Sequence, residues 1–136
     1  MACLDTTFLI DLARRGPSSG KDRARTKRRE LADRGEALLT TRFNVAELYV
    51  GVWRSLDPER EQRAVAAVLD GVRVLEFDDS AAVLFARITA HLQKLGRPAG
   101  DMDVLIAATA LAANEMLVTR NAEHFTDIPG LRAETY

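Results

Sequence analysis

Short apolar stretches alternate with longer segments whose apolar residues recur at helical spacing, and this alternation runs along the whole chain. Short apolar stretches are typical of buried strands, and the longer pattern is typical of helices packed on a sheet. The expected strands are residues 2–4, 37–39, 72–77, 116–119 and, at an edge, 131–135. The pattern therefore predicts an α/β domain with a central parallel sheet flanked by helices.

Turn-forming and capping residues mark the ends of the predicted helices. Asp57 is followed directly by a proline, which is typical of a helix start. Thr41 is expected to cap the helix after the second strand, and Gly96 to end the long helix that opens at Asp79 or Ser80. An apolar helix is expected from residue 101 to about residue 113, just before the fourth strand.

The composition is that of a folded protein. The chain has 136 residues, of which 47% are hydrophobic and 29% charged, which is ordinary for one globular domain with its own core. No apolar run approaches the ~20 residues of a membrane helix, and Cys3 has no second cysteine to pair with. We therefore expect a single domain over residues 1–136 in the reducing cytoplasm, with no membrane attachment.

Positive charge is concentrated in one segment, although the formal net charge of the chain is only −1. The basic residues of this segment are Arg14, Arg15, Lys21, Arg23, Arg25, Lys27, Arg28, Arg29 and Arg34, against three acidic residues. It is predicted to form an exposed helix ending near Gly35. Such a patch attracts phosphates, and a solvated helix without a partner is the alternative.

Acidic residues recur where the predicted sheet would place a ligand, at the carboxyl ends of its strands. Asp5 ends the first strand, Asp103 lies in the first turn of the helix before the fourth strand, and Thr119-Arg120-Asn121 follows that strand. Glu47 lies on a mostly apolar face of the helix after the second strand, so it is expected to point towards the same region.

Each acid also has a structural explanation. Asp5 could cap the first helix, and Asp101 could cap the helix that carries the third acid. Glu47 could form a salt bridge with Arg42 or Arg54. These explanations stay open at this point.

Three acids that meet in one small volume need a cation, because like charges repel and would otherwise hold protons. Carboxylate oxygens suit Mg²⁺ or Mn²⁺, whereas zinc favours Cys and His. His91 and His124 are not spaced as a pair, and they are expected to be surface or structural residues. The residues thus predict a magnesium or manganese site.

Four segments of the chain resemble, in order and spacing, the PIN-domain ribonucleases, and in particular the VapC toxins of toxin–antitoxin pairs. They are LDTTFLIDL (4–12), TTRFNVAELYVGV (40–52), GDMDVLIAATALAANEMLVTRNAEHF (100–125) and IPGLRAETY (128–136). Only the basic segment from about residue 16 to 35 stands apart, as an insertion or an elongated second helix. The resemblance implies a single PIN-like domain, an α/β/α sandwich, with metal-dependent endoribonuclease activity.

The resemblance also implies roles for individual residues. It assigns Asp5, Glu47 and Asp103 as catalytic residues that bind Mg²⁺ or Mn²⁺. Asn121 is assigned as a further catalytic residue, at a position that is often Asp in PIN domains, so both one-ion and two-ion chemistry stay open. Asp101 falls beside the third acid and is interpreted as a cap or an outer-shell residue. The implied reaction is hydrolysis of single-stranded or looped RNA by a metal-activated water.

Partners are implied in the same way. VapC-like toxins form homodimers and are held inactive by a small VapB-like antitoxin, whose C-terminal segment packs in an apolar groove near the first and third helices. Phe43, Tyr49 and Trp53 are candidates for one wall of this groove, and core packing is their alternative role.

Other functions fit the residues less well. An aspartate-nucleophile phosphatase needs a second Asp where Thr7 stands, and a signalling receiver domain needs an acidic pair and a late Lys that are not evident. A catalytically degenerate PIN module, which binds RNA or a protein without cutting, is the remaining alternative. Asn121 is its main support.

Overall fold

The structure is a computed structural model and describes residues 1–136. Its five strands are β1 (Ala2–Leu4), β2 (Leu38–Thr41), β3 (Arg73–Leu75), β4 (Met116–Val118) and β5 (Ala133–Glu134). They form one sheet in the order β3-β2-β1-β4-β5, and every neighbouring pair is parallel. The predicted parallel sheet and the edge position of the fifth strand are both confirmed.

Six α-helices and one short 3-10 helix connect the strands. They are α1 (Thr6–Ala13), α2 (Ser19–Asp33), α3 (Arg42–Arg54), α4 (Pro58–Leu69), α5 (Asp79–Lys94), α6 (Asp101–Ala112) and the 3-10 helix Ala122–Phe125. Thr41 and Asp57 cap α3 and α4 as expected, each accepting a hydrogen bond from a backbone N–H of the first turn. Gly96 follows α5 with a φ of 64°, in the left-handed region that favours glycine.

Helices cover both faces of the sheet, and successive residues of a strand point to opposite faces. Cys3 and Leu117 belong to a cluster shared with α5 and α6, whereas Leu4 and Val118 belong to a cluster shared with α1, α2 and α3. This gives the predicted three-layer α/β/α arrangement. No helix combines the length and the apolar character needed to cross a bilayer.

The second strand is longer than the sequence pattern suggested. It was expected to end at residue 39, but β2 continues to Thr41, and Thr40 and Thr41 are fully buried. Thr40 Oγ1 donates a hydrogen bond to the carbonyl oxygen of Leu4 at 2.8 Å. A hydroxyl that is satisfied in this way lets threonine occupy a buried strand position, which a hydrophobicity pattern does not reveal.

Candidate functional site

The carboxyl ends of β1, β2 and β4 lie side by side at one edge of the sheet, with β1 in the middle. Asp5 follows β1 directly, Thr119 follows β4, and α3 begins immediately after β2. In open parallel sheets this edge is where ligands bind. We call the space between Asp5, Glu47 and Asp103 the acidic cleft.

Asp5 is buried, with only 7% of its surface exposed, and both of its carboxylate oxygens are held. Asn44 Nδ2 donates to Oδ1 at 3.0 Å, and Thr119 Oγ1 donates to Oδ2 at 2.7 Å. Asp5 occupies the position before α1, but its side chain makes no capping hydrogen bond. Its carboxylate is therefore fixed by side chains from α3 and from the end of β4.

Asn44 is the residue at this site that sequence reasoning missed. It is fully buried, and its side chain links three elements. Its Oδ1 accepts hydrogen bonds from the backbone N–H of Thr41 at 3.1 Å and from the Thr41 hydroxyl at 2.7 Å. Its Nδ2 donates to Asp5 and, at 3.0 Å, to Thr6 Oγ1. The spacing of Thr41 and Asn44, which form a capping box, is the signal that could have revealed it.

Glu47 is partly buried and receives a hydrogen bond from the Thr6 hydroxyl. Burial raises the pKa of its carboxyl, the Thr6 hydrogen bond opposes this, and the nearby charges of Asp5 and Asp103 raise it further. The alternative pairing with Arg42 does not occur, because Arg42 Nε binds Glu76 at 3.0 Å. Glu47 therefore points into the acidic cleft and not towards a surface cation.

Asp103 lies in the first turn of α6, with its side chain 39% exposed. Burial and the charge of Asp5 raise the pKa of its carboxyl, and His124 acts in the opposite direction. His124 Nδ1 lies 3.7 Å from Asp103 Oδ2, so this histidine belongs to the rim of the cleft. His124 is exposed, as expected from the sequence, but its contact with Asp103 was not predicted.

Two further predicted residues lie beside the cleft. The backbone N–H of Asn121 donates to Thr119 Oγ1 at 3.1 Å, and its partly buried side chain makes no capping hydrogen bond to the 3-10 helix that follows. Asp101 is exposed and is the first residue of α6. The expected cap at Asp101 is wrong, because Gly100 occupies the capping position and no side chain caps this helix.

The three carboxylates are within electrostatic range of one another, because neighbouring acids contribute to both raised pKa values. No group of three acidic, cysteine or histidine side chains is close enough together to hold one ion. The arrangement is therefore an open cleft and not the assembled ion shell that the sequence suggested. The donors of the cleft are carboxylate oxygens, which fit a hard divalent cation.

Comparison with known families decides the classification. The profile of the PIN domain matches residues 2–131. The chain belongs to the PIN-domain family. Two curated relatives are named tRNA(fMet)-specific endonuclease VapC. The relative from Salmonella typhimurium is 37% identical over 69% of this chain and 71% of its own length, and the relative from Shigella flexneri is 29% identical over 98% of this chain and 96% of its own length.

Solved structures agree with this assignment. The PIN domain superposes with a TM-score of 0.84 on VapBC2 from Rickettsia felis, a complex that was crystallised with a DNA fragment from its promoter. The two chains are 26% identical, and the match covers 98% of the PIN domain and 97% of the other chain. The fold predicted from the sequence resemblance is thereby confirmed.

A second buried carboxylate, that of Asp11, binds the loop of residues 119–121 through the side chain of Arg120. Asp11, on α1, is 1% exposed. Its Oδ2 accepts hydrogen bonds from Tyr136 at 2.9 Å and from Arg120 at 3.1 Å. Arg14 Nε lies 3.1 Å from Oδ1 but makes no hydrogen bond to it, so this contact is electrostatic alone. The side chain of Arg120 is thus engaged by Asp11 on α1, and the backbone N–H of Arg120 donates to Thr7 Oγ1 beside the acidic cleft.

A groove of about 360 Å³ lies between α1, α3 and α4 of the PIN domain, with Glu47 at its edge. Its apolar lining includes Ile10, Leu48 and Val52. It is a groove near the first and third helices, as the resemblance implied. We call it the α1–α3 groove.

None of the three aromatic candidates lines the α1–α3 groove, and Phe43 and Tyr49 take the alternative role of core packing. Phe43 packs edge-to-face against Phe77 with ring centroids 5.5 Å apart and borders the cluster shared with α5 and α6, whereas Tyr49 packs against the cluster shared with α1, α2 and α3. Trp53 is 71% exposed and does not line the groove. Phe43 lies six positions before Tyr49 and therefore faces a different side of α3, whereas Tyr49 and Trp53, four positions apart, lie on one side of it.

Proposed function

We propose that this PIN domain is an Mg²⁺- or Mn²⁺-dependent endoribonuclease that acts in the cytoplasm as the toxin of a toxin–antitoxin pair. The acidic cleft carries the proposal, because it brings together carboxylates from three separate elements. Burial raises the pKa of Glu47 and of Asp103 there, and the nearby charge of Asp5 raises both further. Groups with perturbed pKa values in a cleft are typical of functional sites. The relatives named as VapC endonucleases support the same activity.

Asp5, Glu47 and Asp103 would hold the ion. A bound Mg²⁺ or Mn²⁺ supplies a water of lowered pKa and positive charge beside the phosphate oxygens. We expect side-chain rotation to bring the acids together around the ion, since Asp103 is partly exposed and Glu47 is held by a single hydroxyl. We expect Asp5 to be the fixed ligand, because Asn44 and Thr119 hold it.

The remaining groups of the cleft orient the reactants. Thr7 Oγ1 lies 3.4 Å from Asp5 Oδ2 and accepts a hydrogen bond from the backbone N–H of Arg120 at 3.3 Å. This links the first turn of α1 to the loop that carries Asn121. We expect the side-chain amide of Asn121 to orient a water or a ribose hydroxyl without adding charge.

The substrate is single-stranded or looped RNA. The cleft is an open edge of the sheet, and such a site reaches an unstacked backbone more readily than a backbone paired in a duplex. The phosphodiester approaches a site that is negative on its own, so cleavage requires the divalent ion. EDTA is therefore expected to abolish cleavage, and Mn²⁺ to restore it.

The test is cleavage of total RNA by purified protein, followed by mapping of the new ends. Asp103→Asn is expected to abolish cleavage while circular dichroism stays unchanged. Asp101→Asn is the matched control, because Asp101 is an exposed acid in the same turn of α6 and is expected to retain full activity. Equal activity of wild type and Asp103→Asn would refute the assignment, and cleavage of DNA alone would move the protein to another class of nuclease.

The partner we propose is a VapB-like antitoxin whose C-terminal segment occupies the α1–α3 groove, next to Glu47. Ile10→Arg replaces an exposed apolar lining residue with a charge and is expected to release the antitoxin from a co-expressed complex. Val83→Arg, at an exposed apolar position on α5, is the control. Retention of the antitoxin by the Ile10 variant would place the partner elsewhere.

We also propose a homodimer, which light scattering of the isolated protein tests.

A catalytically degenerate module is the second candidate, and the neutral Asn121 favours it. Such a module would bind RNA with the same affinity in EDTA and in Mn²⁺ and would leave it intact. The cleavage assay therefore separates the two functions directly.

A further inference from the structure

A cavity of about 660 Å³ lies along α2, at the amino end of β2. One wall is formed by Arg25, Arg28 and Arg29 of α2. The opposite side includes Leu38, the first residue of β2, and Asp70, which follows α4. We call this cavity the arginine groove. It lies at the end of β2 opposite to the acidic cleft.

The three arginines of the groove carry free positive charge. Other basic side chains of this region are already paired, since Lys27 binds Glu134 at 2.7 Å and Arg34 binds both Glu134 and Glu30. Arg25, Arg28 and Arg29 are exposed and form no salt bridge with any carboxylate. Of the four exposed basic residues of α2 without a salt bridge, three line this groove, and only Arg23 lies outside it.

The spacing of the arginines suits a chain of phosphates. Residues three and four positions apart on a helix lie on one face with Cβ atoms about 5–6 Å apart. Each guanidinium can bind a phosphate through two parallel hydrogen bonds. The apolar part of the groove consists of Ala32 and Leu38 alone. A protein partner would bury little apolar surface there, whereas the cores of protein interfaces are apolar.

We propose that the arginine groove binds the phosphate backbone of RNA at a second contact, remote from the acidic cleft. The proposal rests on the proposed ribonuclease function. Leu38 begins β2 and Thr41 ends it, and three strand steps span about 10 Å. A dinucleotide or trinucleotide confined to the cleft does not reach the groove, whereas a long RNA contacts both. Asp70, on the far side of the groove, would accept a hydrogen bond from a ribose hydroxyl or a base amino group, which favours a nucleic acid over a simple polyanion.

The test compares two variants with the same change in charge. The first carries R25Q, R28Q and R29Q in the groove, and the control carries R54Q, R60Q and R63Q on exposed positions of α3 and α4. Binding to a long structured RNA and to a short single-stranded oligomer is measured by fluorescence anisotropy in EDTA, so that no cleavage occurs. Circular dichroism confirms that both variants are folded.

The groove variant is expected to bind the long RNA about tenfold more weakly at 0.15 M salt. The slope of the logarithm of its binding constant against the logarithm of the salt concentration should be smaller by about 2, since each lost phosphate contact on a single strand lowers that slope by about 0.7. Its affinity for the short oligomer and the control's affinity for both RNAs should stay within about twofold of wild type. Equal losses in the two triple variants would overturn the proposal, because total charge would then explain binding.

Two competitors test the class of ligand. An acidic peptide or single-stranded DNA that displaces the long RNA as effectively as unlabelled RNA would overturn the assignment to RNA. Because binding is measured without metal, a protein that binds as predicted but never cleaves contradicts the proposed ribonuclease function and leaves the groove assignment standing.

Discussion

Asn44→Asp is the substitution that tests most sharply how Asp5 is held. The change keeps the size of the side chain and the oxygen that accepts from Thr41, and it replaces the donor Nδ2, which lies 3.0 Å from Asp5 Oδ1, by an oxygen. Two full charges at that distance would repel by about 5 kcal/mol at an effective dielectric of about 20. The new carboxyl therefore takes up a proton in the folded state and donates it to Asp5.

The cost of that proton depends on pH. An aspartic acid ionises near pH 3.9 in an unfolded chain, so holding it protonated at pH 7 costs about 4 kcal/mol, at about 1.4 kcal/mol for each pH unit. The folded state binds more protons than the unfolded state, and the variant therefore loses stability as pH rises through this range. At pH 4 to 4.5 the cost should fall below about 1 kcal/mol.

The assay is urea unfolding of wild type, Asn44→Asp and Asn44→Ala between pH 4.5 and pH 7.5 in EDTA. Asn44→Ala is the control, because it removes the same hydrogen bonds without adding a titratable group, and we expect a cost of about 3 kcal/mol with no comparable pH dependence. A cost for Asn44→Asp that is the same at both ends of the range would refute the reasoning, since the new carboxyl would then not face Asp5.

Three further predictions concern groups around the cleft. Burial and neighbouring acids raise the pKa of Glu47 and Asp103, so the metal-free fold binds more protons than the unfolded chain and loses stability as pH rises from about 4 upward. Glu47→Gln or Asp103→Asn should therefore raise the melting temperature in EDTA at pH 7. A lower melting temperature for both variants would contradict this. Asp11→Asn should lower the free energy of unfolding by about 2 kcal/mol, because a buried carboxylate loses charged hydrogen bonds; an unchanged urea midpoint would argue against it. Gly20→Ala should destabilise the fold by about 1–3 kcal/mol, because a Cβ there would lie 2.8 Å from the Asp11 carboxylate. Gly51→Ala is the control, because a Cβ at Gly51 would meet no atom within 4 Å. In the same thermal melts it should be neutral or stabilise the fold by up to about 1 kcal/mol.

The parts of the fold that the sequence predicts are those set by local chemistry and by the placement of apolar residues. The apolar runs locate all five strands, and Thr41, Asp57 and Gly96 mark helix ends by capping and by left-handed backbone geometry. The boundary of β2 escapes this reasoning because Thr40 is a polar residue that becomes buried once its hydroxyl finds the carbonyl of Leu4.

The candidate site is only partly visible in the sequence. Asp5, Glu47 and Asp103 can be found because a carboxylate on an apolar element needs an explanation. Asn44 cannot be found in this way, since its importance lies in contacts between elements far apart in the chain. The sequence placed Thr119 at the right edge of the sheet, but it could not show the hydrogen bond from Thr119 to Asp5. For the same reason the pattern could not show that the carboxylates stop short of an assembled ion shell, which depends on the side-chain conformations in the fold.

Manganese-soaked crystals of the wild-type protein, measured at an energy where manganese scatters anomalously, test the central claim most directly. We predict an anomalous peak in the acidic cleft, bound to Asp5 and Asp103, with Glu47 turned from Thr6 towards the ion. Crystals at saturating manganese with no peak between these residues, or with peaks only elsewhere on the surface, would contradict the account.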